Sequence, residues 1–228
     1  ETGRSQGRGV DARGIEAIRG SALRAFQMAS RGEWSMSSES QGSVRLSGGA
    51  FSAGGANELE TAQVFFSKFG ERLLGISASS VEALQLNQED SSTQIIYRQR
   101  LNGAPVYGTR VNLNFDAKGD LVYVVSDVYA GDAPELKEGG LSIREASMRL
   151  AFLMADRNQK ASHGALAEGY DLDDLINLGE RCFWYDGLRV VDAYRYVVPL
   201  SGARPGELEA VIEVASGAIV LLRDLVRK

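Results

Sequence analysis

Val111, Leu113 and Phe115 alternate with Asn112 and Asn114, and a period of two is the mark of a strand with one face buried and the other in water. The alternation belongs to a series. Runs from Thr93 to Leu101, Val106 to Phe115 and Leu121 to Tyr129 are separated by Asn102-Gly103 and by the turn from Asp116 to Gly119. Asn-Gly supplies the positive φ angles of a two-residue hairpin turn. With one face wet, the sheet is expected to be antiparallel, with a helix against its other side.

That helix is at hand upstream. Leu59, Ala62, Phe65, Phe66, Phe69 and Leu73 recur at intervals of three and four, which predicts a helix from Leu59 to Leu74 that Gly75 closes. Before it, Trp34-Ser35-Met36 and Gly42 to Leu46 read as a short β-hairpin, followed by a Gly-rich link from Gly48 to Gly55. Residues 1–30 mix Gly, Arg and Ser. Ile15, Ile18, Leu23 and Phe26 fit a helix only loosely and Gly20 interrupts it, so the expectation is a flexible leader or a weak helix, with Arg4, Arg8, Arg13, Arg19 and Arg24 solvated. Glu1-Thr2-Gly3 has the look of an expression-vector scar left after signal-peptide removal.

After a Pro- and Gly-containing linker from Asp132 to Gly140 the pattern starts again. Ser142 and Glu145 form an S-x-x-E capping box for a helix running to about Met154. Strands are expected near Arg181–Tyr185, Asp192–Pro199, Leu208–Val214 and Ala218–Val226. Each half is a helix followed by antiparallel strands, a repeat of element order that predicts an α+β fold. The expected division is a leader at 1–30, one domain at 31–131 and a second at 132–228.

Composition narrows the function. A net charge of −5 over 228 residues argues against nucleic acid as the main partner, since phosphate neutralisation needs a basic face. No apolar run approaches the ~20 residues of a membrane span. The single cysteine, Cys182, forms no internal disulfide and lies in an apolar run with Phe183, Trp184 and Tyr185, where it reads as a small buried hydrophobe. The single histidine, His163, has no second His or Cys pair to complete a zinc site and reads as a surface-loop residue, although a Ser–His–Asp triad through it stays open by counting alone. Neither H-E-x-x-H nor G-x-S-x-G occurs, and the glycine pairs Gly48-Gly49 and Gly54-Gly55 lack the surroundings of a phosphate loop. Glu168, Asp171, Asp173 and Asp174 miss the Ca²⁺-loop spacing. They read as solvated carboxylates or the start of a short helix, with a weak Ca²⁺ site as the alternative.

The most distinctive segment is Gln99-x-x-x-Gly103-x-Pro105-Val106-Tyr107-Gly108. It resembles the Q-x-x-x-G-x-P-V-(F/Y)-G signature of the fungalysin/thermolysin propeptide (FTP) domain. Trp34 with Gly42 to Gly48 is similar to that family's opening hairpin, the helix at 59–74 falls at the place of its A-x-x-F-L helix, and Asn112 to Gly119 is similar to its N-x-x-x-D-x-x-G strand and turn. The second half is similar to the PepSY domain that usually follows, with Ile212 to Ile219 at the place of its V-D-A-x-T-G-x-V ending. Here the departures are Glu213 for Asp and Ser216 for Thr, while in the first half Ile96 stands at a frequent Arg.

The resemblance implies two cystatin-like halves, each a helix on an antiparallel sheet, and a non-catalytic propeptide that helps a secreted zinc metallopeptidase fold and inhibits it. The partner would be that peptidase's catalytic domain, in cis or in trans, met outside the cell. No catalytic residue, metal or cofactor is expected of the chain itself. Gln99, Gly103, Pro105, Val106, Tyr107 and Gly108 would be mainly structural, and Arg223, Asp224, Leu225 and Val226 near the C-terminal end would reach the peptidase. Two rivals remain: a stand-alone extracellular or cell-surface binding module built from the same domains, and a hydrolase using His163.

Overall fold

A computed structural model of the chain describes residues 12–39, 43–54, 57–131, 134, 139–160, 170–200 and 206–226. In chain order the elements are α1 (Ala12–Met28), β1 (Arg31–Ser38), β2 (Ser43–Phe51), α2 (Glu58–Phe65), a π-helical turn (Phe66–Gly70), α3 (Glu71–Leu74), a 3-10 turn (Ala78–Ser80), β3 (Val81–Glu89), β4 (Ser92–Leu101), β5 (Ala104–Tyr107), β6 (Arg110–Asp116), β7 (Leu121–Asp127), α4 (Ile143–Lys160), α5 (Leu172–Leu178), β8 (Glu180–Tyr185), β9 (Val190–Leu200), β10 (Gly206–Glu213) and β11 (Ile219–Val226). The fold is α+β. Two compact units divide the chain, the first from Glu1–Arg100 and Thr109–Gly131, the second from Leu101–Gly108 and Asp132–Lys228.

In the first unit the strands lie in the order β1-β2-β7-β6-β4-β3, every neighbouring pair antiparallel. Val111, Leu113 and Phe115 turn inward with Ile95, Leu121 and Val124, against Phe65, Phe69 and Leu73 of the helical segment. The outward amides partly satisfy one another: Gln94 Nε2 donates to Asn114 Oδ1 at 3.0 Å and Asn87 Nδ2 to Gln94 Oε1 at 3.2 Å. Asn57 and Glu60 form a capping box at the start of α2, and Gly75, at φ 79°, ends α3 in the left-handed conformation.

Several expectations are corrected here. The predicted helix over 59–74 is present and continuous but includes the π turn, around which Phe65 and Phe69 meet Phe26 at 5.5 and 4.9 Å while Phe66 meets Tyr97 at 4.9 Å. Of the two expectations for 1–30, a flexible leader or a weak helix, the described part is a helix, α1. Phe26 is fully buried at the centre of an aromatic cluster with Trp34, Phe51, Phe65 and Phe69, and Arg19 is buried with a bond to the Ser38 hydroxyl. Ala22 and Phe26 enter the core, Leu23 packs against it, and Arg19 is buried beside them, so one side of the helix is held. Residues 1–11 lie outside the described residues. Gly48 and Gly49 are strand rather than link, because a Cβ on Gly49 would stand 2.2 Å from Trp34 Nε1. The strand β3 is an addition to the expected elements. Its register shifts between Ala83 and Gln85, so its inward and outward residues do not alternate.

The second unit's sheet runs β5-β8-β9-β10-β11. Ala146, Leu150 and Met154 of α4 pack on Tyr196, Val198, Leu208, Ala210 and Ile212. The capping box is formed as expected, Glu145 N–H donating to Ser142 Oγ at 3.3 Å and Ser142 N–H to Glu145 Oε2 at 2.8 Å. Two expectations are corrected. The single strand predicted from Val106 to Phe115 is two, β5 and β6, since Gly108 at φ 88° turns the chain between them. The sheet is also not wholly antiparallel, because β5 lies parallel to β8 with Val106 opposite Phe183 and Tyr107 opposite Trp184.

Candidate functional site

The signature segment is built from backbone requirements. Asn102 and Gly103 both have positive φ, 48° and 79°, as a type I′ turn demands. Gln99 is 2% exposed and uses its amide as a strand would use its backbone. Its Nε2 donates to the Tyr129 carbonyl at 2.8 Å, and its Oε1 accepts from the Tyr129 N–H at 3.0 Å. Just beyond the end of β7, these two bonds satisfy both backbone groups of Tyr129 by side chain. The Gln99 N–H donates to Thr109 Oγ1 at 3.3 Å, so the chain is tied on either side of residues 101–108.

Within the second unit the segment is fixed from Pro105 to Gly108. Pro105 and Val106 are buried. The Tyr107 hydroxyl donates to Glu180 Oε2 at 2.6 Å, and the Arg195 guanidinium lies 4.1 Å above the Tyr107 ring. A Cβ on Gly108 would stand 2.2 Å from the Tyr185 carbonyl oxygen, so no other residue fits.

Arg195 is itself positioned. Its Nε donates to Glu209 Oε1 at 2.6 Å, and Arg223 Nε donates to Glu209 Oε2 at 2.5 Å. Glu209 is 1% exposed, and a carboxylate so buried is tolerable only when its charge is matched, as these two guanidinium groups match it. The result is a polar line across the second sheet: Glu180, Tyr107, Arg195, Glu209, Arg223. Sequence reasoning alone misses Glu180, Arg195 and Glu209. The available signal is a lone charge inside an apolar strand, as in Tyr194-Arg195-Tyr196 and Leu208-Glu209-Ala210.

No protein-family model matches the chain, and no curated protein matches it. Among solved structures it is similar to the Bacillus megaterium YpeB C-terminal domain, with 11% identical residues over 97% of this chain and 100% of that one, at a TM-score of 0.39. A likeness of that size carries no argument.

The residues proposed from sequence to meet a partner lie in β11. Among the described residues β11 pairs with β10 on one side and with no strand on the other. Arg223 is exposed while bound to Glu209, Asp224 is exposed opposite Leu208, Leu225 is half-buried opposite Glu207, and Val226 stands opposite Gly206. Exposed Ile219 and Leu222 belong to the same strand.

His163 and Glu168 lie outside the described residues. Asp171 and Asp174 cap α5, the Asp174 N–H donating to Asp171 Oδ1 at 2.9 Å and the Asp171 N–H to Asp174 Oδ2 at 3.1 Å. Among the described residues no three acidic, His or Cys side chains come together as a metal site would need, and no helix is long and apolar enough to cross a membrane. Cys182 is buried beside Ala193 and Val211.

Proposed function

We propose that the chain is a non-catalytic propeptide that assists the folding of a secreted zinc metallopeptidase and inhibits it. The reading rests first on the resemblance of Gln99 to Gly108 to the FTP signature, with Ile212 to Ile219 in the PepSY-like half. The structural observation that carries it is β11, which among the described residues is an edge strand, with exposed Arg223 and Asp224 and half-buried Leu225. An open edge offers backbone N–H and C=O groups to an extended partner strand, and alternate side chains add selectivity. A partner that binds native-like peptidase surface stabilises the folded enzyme by mass action. On this reading the chain acts outside the cell, and its peptidase is joined to it or meets it as a separate protein.

Refolding tests it. A thermolysin-type zinc metallopeptidase, unfolded in guanidinium and diluted into buffer, is expected to recover a larger folded fraction with this chain present than with an equal amount of albumin. An equal recovery in both removes the folding role. The stand-alone binding-module reading then takes its place.

A further inference from the structure

Among the described residues β3 pairs with β4 and with no other strand, so one side of it is open. An open edge presents unpaired N–H and C=O groups, and proteins usually guard it with charge or proline. The edge strands β1 and β11 are guarded in this way, by Arg31 with Glu33 and by Arg223 with Asp224. From Ala83 to Gln88, β3 carries neither a charge nor a proline. Leu84 and Leu86 are instead 51% and 44% exposed. Leu86 stands opposite Ile95, which is fully buried, so the apolar face of the sheet runs out to the open edge.

The other face of the sheet brings a row of amides to the same place. Gln85 Nε2 donates to Asn87 Oδ1 at 2.6 Å, Asn87 Nδ2 to Gln94 Oε1 at 3.2 Å, and Gln94 Nε2 to Asn114 Oδ1 at 3.0 Å. The carboxylates lie toward the ends of the strand, and Glu82 is already bound by Arg98 and Arg100. The backbone fixes which groups are free. Glu89 and Ser92 face each other across the two-residue turn Asp90-Ser91, which makes them a pair that exchanges both hydrogen bonds. Past the register shift the alternation resumes, so Gln85 and Asn87 bond to β4 while the N–H and C=O groups of Leu86 and Gln88 point to the open side.

We propose that β3 is a self-association edge, on which the β3 of a second copy lies antiparallel with the two-fold axis at Leu86. The strand is complementary to itself in that register. Leu86 meets Leu86 of the second copy on the apolar face, Gln85 meets Asn87 on the amide face, and Glu89 falls opposite Ala83, so no carboxylate faces another. A two-fold contact of this kind uses the same patch on both copies and closes the edge on itself, which no unrelated strand is obliged to do. The shift between Ala83 and Gln85 ends the regular stretch and keeps the contact short. It buries less than the roughly 1,200 Å² of a standard stable interface, so the dimer forms and separates with concentration.

The test follows the full chain by sedimentation velocity from micromolar to millimolar concentration. The unaltered chain is expected to pass from monomer to dimer, with hydrogen exchange at Leu86 and Gln88 slowing as it does. L86K sets two like charges on the axis and is expected to weaken association by at least about tenfold. Cysteine scanning fixes the register. On the axis a hydrogen-bonded pair has its Cα atoms about 5.5 Å apart, within reach of a disulfide, so L86C is expected to cross-link on mild oxidation. Two copies of E89C stand six residues apart along the strands, roughly 20 Å, and are expected not to. Cys182 is fully buried and stays out of the reaction. A chain that is monomeric throughout, an L86K variant that dimerises as well as the unaltered chain, or equal cross-linking of L86C and E89C overturns the proposal. So does a monomer whose exchange at Leu86 and Gln88 slows only when a thermolysin-type zinc metallopeptidase is added, which assigns the edge to the peptidase.

Discussion

Gly103 and Gly108 are five residues apart and are required for different reasons. At Gly103 the demand is conformational, φ being 79° with no atom within 4 Å of the place a Cβ would take. G103V is therefore expected to cost about 1–3 kcal/mol from backbone strain alone. At Gly108 a φ of 88° is joined by the Tyr185 carbonyl oxygen, 2.2 Å from where a Cβ would sit. G108A is expected to cost about 3 kcal/mol or more, although it adds only a methyl group. Urea midpoints of both variants check this, and a G108A midpoint above that of G103V contradicts it. Glu82 makes a second residue-scale case. Burial raises its pKa, but bonds and charge from Arg98 and Arg100 more than offset that, and the net pKa is lowered from 4.5. A depressed carboxylate stabilises the fold above its unfolded pKa and loses that contribution as pH falls through the folded value. E82Q is thus expected to be less stable than the unaltered chain at pH 7, with the gap closing at pH values below its lowered pKa. A gap of the same size at pH 7 and at pH 2 contradicts the assignment.

At the scale of elements, α1 decides between the two expectations for the leader, and it carries its own test. Phe26 meets Trp34, Phe51, Phe65 and Phe69 with ring centroids between 4.9 and 5.5 Å. F26A is expected to cost about 3–5 kcal/mol, as aromatic truncations in a close-packed core do. A flexible leader would lose nothing, so an unchanged thermal midpoint contradicts the helix. What is legible in sequence follows a pattern. The helical face from Leu59 to Leu73 and the inward residues of β6 are repeated several times over, and repetition survives local irregularity. The strand β3 is illegible because a register shift breaks its alternation, and α1 is only weakly legible because its buried side includes the small Ala22 and the charged Arg19. The π turn leaves no mark in the apolar spacing, which runs on through Phe66 and Phe69.

At the scale of the whole molecule, the repeat of helix and strands in each half is readable from order alone, and the structure is α+β in both units. The assignment of Leu101–Gly108 to the second unit is not readable, because its pairing with β8 joins residues far apart in sequence and leaves no periodic trace. The candidate site divides in the same way. Gln99 and Gly108 are marked out by the signature they belong to, whereas Glu180, Arg195 and Glu209 acquire their roles only when the register of β8, β9 and β10 sets them side by side. The proposed role is inhibition of a zinc metallopeptidase. It is tested most directly by adding the purified chain to a mature thermolysin-type zinc metallopeptidase and following peptide-substrate cleavage. A second arm uses the chain lacking Asp224 to Lys228. The account predicts saturable inhibition by the full chain, weakened by at least an order of magnitude in the truncated one while its thermal midpoint stays close to the original, since terminal residues of an edge strand contribute little to the core. Undiminished cleavage at micromolar excess of the full chain contradicts it.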